Sequence, residues 1–121
     1  GLLEYINAAH NPPVLYNVAS GKTMFLDPSC VGLGMLDEIP RVQKSHLIVS
    51  DNTKIVCYTD GLSELKGNDG EEIGTREIIK YISNDDPVAV NIDEMMKALG
   101  LPDNNPSVFD DVSVIAADLL R

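Results

Sequence analysis

The residues best suited to chemistry are carboxylates set at the ends of apolar runs. Asp60 closes the run Ile55-Val56-Cys57-Tyr58-Thr59 and is followed by Gly61, while Asp110-Asp111 opens Val112-Ser113-Val114-Ile115-Ala116-Ala117. The end of a strand in a packed sheet is a rigid mount, and a glycine beside it allows a sharp turn or the close approach of a ligand to the backbone. Such groups suit a hard divalent cation, because Mg2+ and Mn2+ prefer carboxylate and water to nitrogen or sulfur. A lone Asp-Gly is most often only a turn, its carboxylate bonded to its own backbone. The second acidic pair, at the start of a second apolar run, argues for a site.

The elements that must position these groups can be read from the pattern. Ile55 to Thr59 is rich in β-branched and aromatic residues without polar alternation, which predicts a strand covered on both faces. Leu2 to Asn7 predicts a short strand, broken by Pro12-Pro13. Val14 to Asn17 and Thr23 to Leu26 flank Ser20-Gly21 and predict a hairpin. Asp27 to Pro40, with two prolines and two glycines, predicts a loop over the surface and beside a site. Val42 to Val49 predicts a strand that Ser50 to Thr53 turns back against Ile55 to Thr59. Leu62 to Lys66 predicts a helical turn, and Gly67 to Glu72 a turn whose acidic spacing does not match a calcium loop. Ile78, Ile79 and Ile82 share one face of a helix over Thr75 to Ser83. Ile92, Met95, Met96 and Leu99 recur at helical spacing, with Asn91 and Glu94 as a capping-box-like start and Gly100 as the stop, and the methionine pair reads as core. Asp103 to Ser107 predicts a loop leading to a last strand, Val112 to Asp118.

Composition narrows the partners. The 121 residues fit one domain with a real core. Nineteen acidic against nine basic residues give a net charge of −10, which disfavours nucleic acid and anionic membranes, since the phosphate term would be repulsive. Two cysteines, Cys30 and Cys57, make no disulfide framework, and Cys57 in its apolar run reads as a small buried hydrophobe, so a cytoplasmic setting is expected. No apolar stretch approaches the length of a membrane span.

Five blocks in order carry a resemblance: Asn7-Ala8-Ala9-His10-Asn11-Pro12-Pro13, Leu33-Gly34, Tyr58-Thr59-Asp60-Gly61-Leu62-Ser63-Glu64, Gly70-Glu71-Glu72-Ile73-Gly74 and Asp110-Asp111-Val112-Ser113. Together they resemble the C-terminal part of the bacterial PPM-type serine/threonine phosphatases of the SpoIIE/RsbU group, over essentially the whole chain. The resemblance implies an α/β fold in the broad sense, an antiparallel sheet flanked by helices that forms part of a β-sandwich. It implies hydrolysis of phosphoserine or phosphothreonine on a phosphorylated anti-sigma-factor antagonist, with two Mn2+ or Mg2+ ions activating a bridging water. By motif, Asp60 and Asp110 match metal ligands. Gly61 and Asp111 support them, Asp111 by orienting the site, and His10 and Asn11 are assigned to fixing the loop before Pro12-Pro13.

Two departures shape the expectation. The family's first ligand set, an aspartate with an adjacent glycine carbonyl in an Asp-x-x-Gly-His-Gly-like block, would precede Asn7 and is not among these residues. This implies an incomplete domain, inactive by itself, with an upstream sensor or regulatory domain in the full protein and a tendency to self-associate through uncovered strands. Ala9 stands where the family usually has glycine, which argues against a positive φ there. The alternative is a regulatory or protein-binding module that keeps the fold without a two-metal centre. A generic acidic domain without metal would leave the five ordered blocks unexplained.

Overall fold

The computed structural model describes residues 1–101 and 110–120. The elements run β1 (Leu2–Tyr5), β2 (Val14–Asn17), β3 (Lys22–Phe25), β4 (Ser45–Ile48), β5 (Thr53–Tyr58), α1 (Asp60–Ser63), α2 (Gly74–Ile82), α3 (Val88–Ala98) and β6 (Val114–Leu119). A four-stranded antiparallel sheet has the order β3-β2-β5-β6, and β1 pairs with β4 in a separate two-stranded antiparallel sheet. This layered mixture of antiparallel strands and flanking helices is the fold class expected from the sequence. The loop expected over Asp103 to Ser107 lies outside the described residues.

The core forms where one face of the large sheet meets the helices. Val14 and Tyr16 of β2 and Val56 and Tyr58 of β5 join Leu62 of α1, Ile78 and Ile82 of α2, and Val88 and Met95 of α3 in one buried cluster. Ile78 and Ile82, one helical turn apart, are fully buried, as their spacing predicts. Each such aliphatic side chain contributes about 1.5–3 kcal/mol when it leaves water. Gly74, at the start of α2, lets two backbones touch, since a Cβ there would lie 1.8 Å from the Leu62 carbonyl oxygen.

Several expectations are corrected. β4 does not fold back against β5. It pairs with β1, from Leu2 opposite Ile48 to Tyr5 opposite Ser45, and β5 instead runs between β2 and β6. The reason lies in burial: Val14, Leu15 and Tyr16 of β2 are all buried and suit a central position, whereas β4 alternates half-buried with exposed residues like a one-sided ribbon. β5 itself is asymmetric, with Lys54, Val56 and Tyr58 buried on the helix side and Ile55 and Cys57 only half-buried on the other, so it is not fully covered on both faces. The last strand starts two residues later than predicted, and α1 begins at Asp60 rather than Leu62.

The helix predicted from Ile92 starts earlier, at Val88, and Asn91 is a buried interior residue rather than a cap. Its amide serves Lys54, which is fully buried in β5. Lys54 Nζ donates among Ile82 O (2.9 Å), Asn84 O (2.7 Å), Asn84 Oδ1 (2.9 Å) and Asn91 Oδ1 (2.6 Å). A buried ammonium needs such acceptors, and the carbonyls at the end of α2 are otherwise without helical partners. Across the ladder from Lys54, Asp118 accepts from the Val88 amide (3.1 Å), so a carboxylate from β6 caps the start of α3.

Candidate functional site

Antiparallel pairing of β5 and β6 sets Tyr58 opposite Val114, and this brings the residues after β5 beside those before β6. Thr59 extends the pairing. Its amide donates to Ser113 O (3.1 Å), its hydroxyl donates to Asp111 O (3.0 Å), and the Ser113 amide donates to that hydroxyl (2.9 Å). Gly61 closes the remaining gap: a Cβ at this position would lie 2.3 Å from Asp111 O and 2.7 Å from Asp110 O. Glycine is therefore required here by close backbone approach. The consequence is that the Asp60 segment and the Asp110-Asp111 segment lie in contact.

A third segment arrives from the loop between β1 and β2. Asn7 is buried and organises it: Oδ1 accepts from the His10 amide (2.8 Å) and Nδ2 donates to Leu26 O (2.9 Å). This is the turn chemistry of an Asx residue. The chain then passes through Ala9 at φ +59, although an alanine there argues against a positive φ, and that expectation is overturned. The left-handed conformation costs about 1–2 kcal/mol, and the Asn7 bonds together with the bridge between Ala8 and Cys30 offset it. Pro12 O accepts from the Tyr58 hydroxyl (3.0 Å), pinning the loop to β5. Asn11 Nδ2 then donates to Asp60 Oδ1 (2.6 Å).

The result is an open depression of about 290 Å3 lined by Ala9, His10, Asn11, Thr59 and Asp60. His10 is exposed at its rim, and its Nδ1 donates to Asn11 O (2.7 Å) because a carbonyl can only accept. Of the residues singled out from sequence, Asp60, His10 and Asn11 thus share one depression, with Gly61 buried against the Asp110-Asp111 backbone. Asp110 and Asp111 are exposed and do not line it, their backbone lying against Gly61, and Asp110 Oδ1 accepts from the Asp111 amide (2.8 Å). The loop over Asp27 to Pro40 touches the site only indirectly, Gly32 packing near Ala9. Burial pushes the Tyr58 hydroxyl above its usual pKa, against a smaller opposing hydrogen bond with Thr75, and burial likewise raises the Cys57 thiol.

Sequence reasoning assigned no role to Asn7, Tyr58 or Thr59, although each holds one of the three segments. The signals were present: an asparagine three residues before His10 has the spacing of a capping side chain, and a tyrosine at the end of a buried strand must find a partner for its hydroxyl.

The donors Asp60 and Asp110 are hard oxygens and match Mn2+ or Mg2+ in kind. In number they supply part of a coordination shell, since among the described residues no three His, Cys, Asp or Glu side chains gather as a metal-binding group. The described residues also contain no helix long and apolar enough to cross a membrane.

Three solved structures share the architecture. The SiaA-PP2C domain of Pseudomonas aeruginosa is similar with a TM-score of 0.73 at 15% identity, covering 98% of this chain and 46% of that one. The RsbU and RsbW domains of a Mycobacterium tuberculosis protein give 0.65 at 26% identity, covering 99% and 34%. The phosphatase domain of the cell fate determinant SpoIIE from Bacillus subtilis gives 0.54 at 12% identity, covering 100% and 58%. The chain therefore spans between about a third and three-fifths of those chains. No curated protein matches it. Residues 1–120 match the Stage II sporulation protein E family, and with 120 of 121 residues aligned to it this chain belongs to the SpoIIE family.

Proposed function

We propose that this chain is the C-terminal part of a metal-dependent phosphoserine/phosphothreonine protein phosphatase domain of the sigma-factor regulatory type, with a phosphorylated anti-sigma-factor antagonist as its substrate. The observation that carries the reading is the contact between the Asp60 segment and the Asp110-Asp111 segment across Gly61. Asp60 and Asp110 are the residues that would hold Mn2+ or Mg2+. When bound, such ions acidify water and offset charge on the phosphoryl group. The protein's own contribution is to fix the carboxylates. Thr59 ties the Asp111 backbone to the end of β5, and Gly61 allows the approach. A phosphoserine dianion meets a chain of net charge −10, so productive substrate binding depends on the cation charge that these carboxylates collect.

The test is Asp60→Asn in the full-length protein, assayed by phosphate release from a phosphoserine protein in Mn2+. The amide keeps the shape and removes the charge, so hydrolysis should be abolished while the fold persists. Normal turnover would remove Asp60 from the metal site. A second reading, a non-catalytic binding module with this fold, draws support from the absence of a three-member ligand group among the described residues. Tight Mn2+ binding by the full-length protein would exclude it.

A further inference from the structure

Asn11 does more than its loop requires. The loop is already held without it, by Asn7 to Leu26 and His10, by the Tyr58 hydroxyl to Pro12 O, and by the Leu26 amide to Pro13 O (2.9 Å). The side chain of Asn11, half-buried, instead spends its amide hydrogens on Asp60 Oδ1 at 2.6 Å and on Tyr58 O at 3.5 Å. Two acceptors on one nitrogen fix the plane of the amide. That plane in turn fixes one oxygen of a carboxylate that is otherwise exposed.

We propose that Asn11 is a positioning residue for cation binding at Asp60. It locks the carboxylate in one orientation and so lowers the ordering cost of engaging Mn2+ or Mg2+. The inference rests on the metal-dependent reading of this site. A neutral amide is the right group for the task. A lysine or arginine could hold the same oxygen, but its charge would neutralise Asp60 and compete with the cation, whereas an amide donates one hydrogen bond and leaves the full negative charge. Oδ2 and one lone pair of Oδ1 stay available as hard donors. Groups that hydrogen-bond metal ligands in this way commonly change metal affinity 10–100-fold when removed.

The experiment measures Mn2+ affinity by calorimetry, together with phosphate release and the melting temperature of the metal-free protein. It uses the full-length protein and the variants Asn11→Leu, Asn11→Gln, Asp60→Asn and the Asn11→Leu/Asp60→Asn double. Leucine keeps the branched shape and heavy-atom count of asparagine without its donor, and glutamine keeps the donor on a longer arm. Asn11→Leu should weaken Mn2+ binding about tenfold or more, with little change in the metal-free melting temperature, and Asn11→Gln should recover part of the loss. The double variant should bind no more weakly than Asp60→Asn alone, because a residue acting through Asp60 has nothing left to act on. Unchanged Mn2+ affinity in Asn11→Leu, or a full additional loss in the double variant, overturns the positioning role. Wild-type Mn2+ affinity in Asp60→Asn overturns the underlying metal-site reading instead. Should Asn11→Leu fail to fold, Asn11→Ala carries the same comparison.

Discussion

Replacing Gly61 by alanine tests whether the contact between the two acidic segments matters. The added Cβ would lie 2.3 Å from Asp111 O, and real Cβ atoms essentially never approach a heavy atom closer than 3.0 Å, so the Asp110-Asp111 backbone must retreat by at least the 0.7 Å difference. The obstacle is backbone on both sides, which cannot rotate away as a side chain would. Overpacking of this kind costs about 1–3 kcal/mol. Alanine returns up to about 1 kcal/mol of that, because Gly61 lies within α1, where glycine is the poorer helix former. A net loss of about 1–2 kcal/mol leaves a domain of ordinary stability, about 5–15 kcal/mol, folded. Activity should suffer far more. On the proposed phosphatase reading, a misplacement near 1 Å at a reacting centre can cost about 100-fold, so kcat for phosphate release by the full-length protein should fall by tens of fold or more in material shown by circular dichroism to be folded. On the same reading, Mn2+ affinity should fall with it, since the backbones that carry the two carboxylates are pushed apart. Gly61→Ala with wild-type turnover and wild-type melting would refute the reasoning, because the backbones would then not be in the contact described.

Lys54→Met should destabilise the protein by about 1–3 kcal/mol in urea titration, because neutral acceptors on buried Ile82 and Asn91 and on half-buried Asn84 lose their donor, and no measurable loss would show that solvent already reaches them. Alkaline pH should destabilise the fold through Cys57 and Tyr58. Both have pKa values raised by burial, so their neutral forms stabilise the folded state fully below the ordinary values of 9.0 and 10.0, and that contribution is lost as pH rises through the folded values. Chemical denaturation at stepped pH should show stability falling above pH 9.0, and Cys57→Ala should remove the first part of the fall.

Much of this arrangement is legible in the residues. The hairpin of β2 and β3 follows from Ser20-Gly21, and the α2 face follows from Ile78 and Ile82 at helical spacing. Asp60 and Gly61 stand out because an apolar run stops there. What the pattern could not give is which strand neighbours which. The polar turn Ser50 to Thr53 looks like a hairpin turn, yet β4 leaves it for β1, and the choice rests on burial of β2, a property of the assembled sheet. Lys54 was equally hidden. A lysine in a strand is ordinarily solvent-facing, and its burial here draws on acceptors at the end of α2, on Asn84 and on Asn91. That same demand removed Asn91 from the capping role its spacing implied. Ala9 shows the reverse case, a residue whose type argues against its conformation and which is held there by the turn that Asn7 imposes.

The contacts that join the three segments of the candidate site are long-range. Asn11 and Asp60 are separated by 49 residues, Thr59 and Asp111 by 52, and Thr59 and Ser113 by 54. Alignment of β2, β5 and β6 in the large sheet brings these segments together, and so offsets the entropic cost of closing the long loops between them. Once the sheet is formed, the same alignment delivers Tyr58 to Pro12 and Gly61 to Asp111 without further choice. Two acidic segments placed side by side also repel one another, and in a chain of net charge −10 nothing in the overall balance relieves this. The β5 to β6 ladder, continued past Tyr58 by the three Thr59 hydrogen bonds, is what holds them against that repulsion. Site geometry therefore rests on sheet stability, carried across by two residues that are not acidic: Thr59, which continues the β5 to β6 ladder, and Gly61 of α1, which lets the backbones touch.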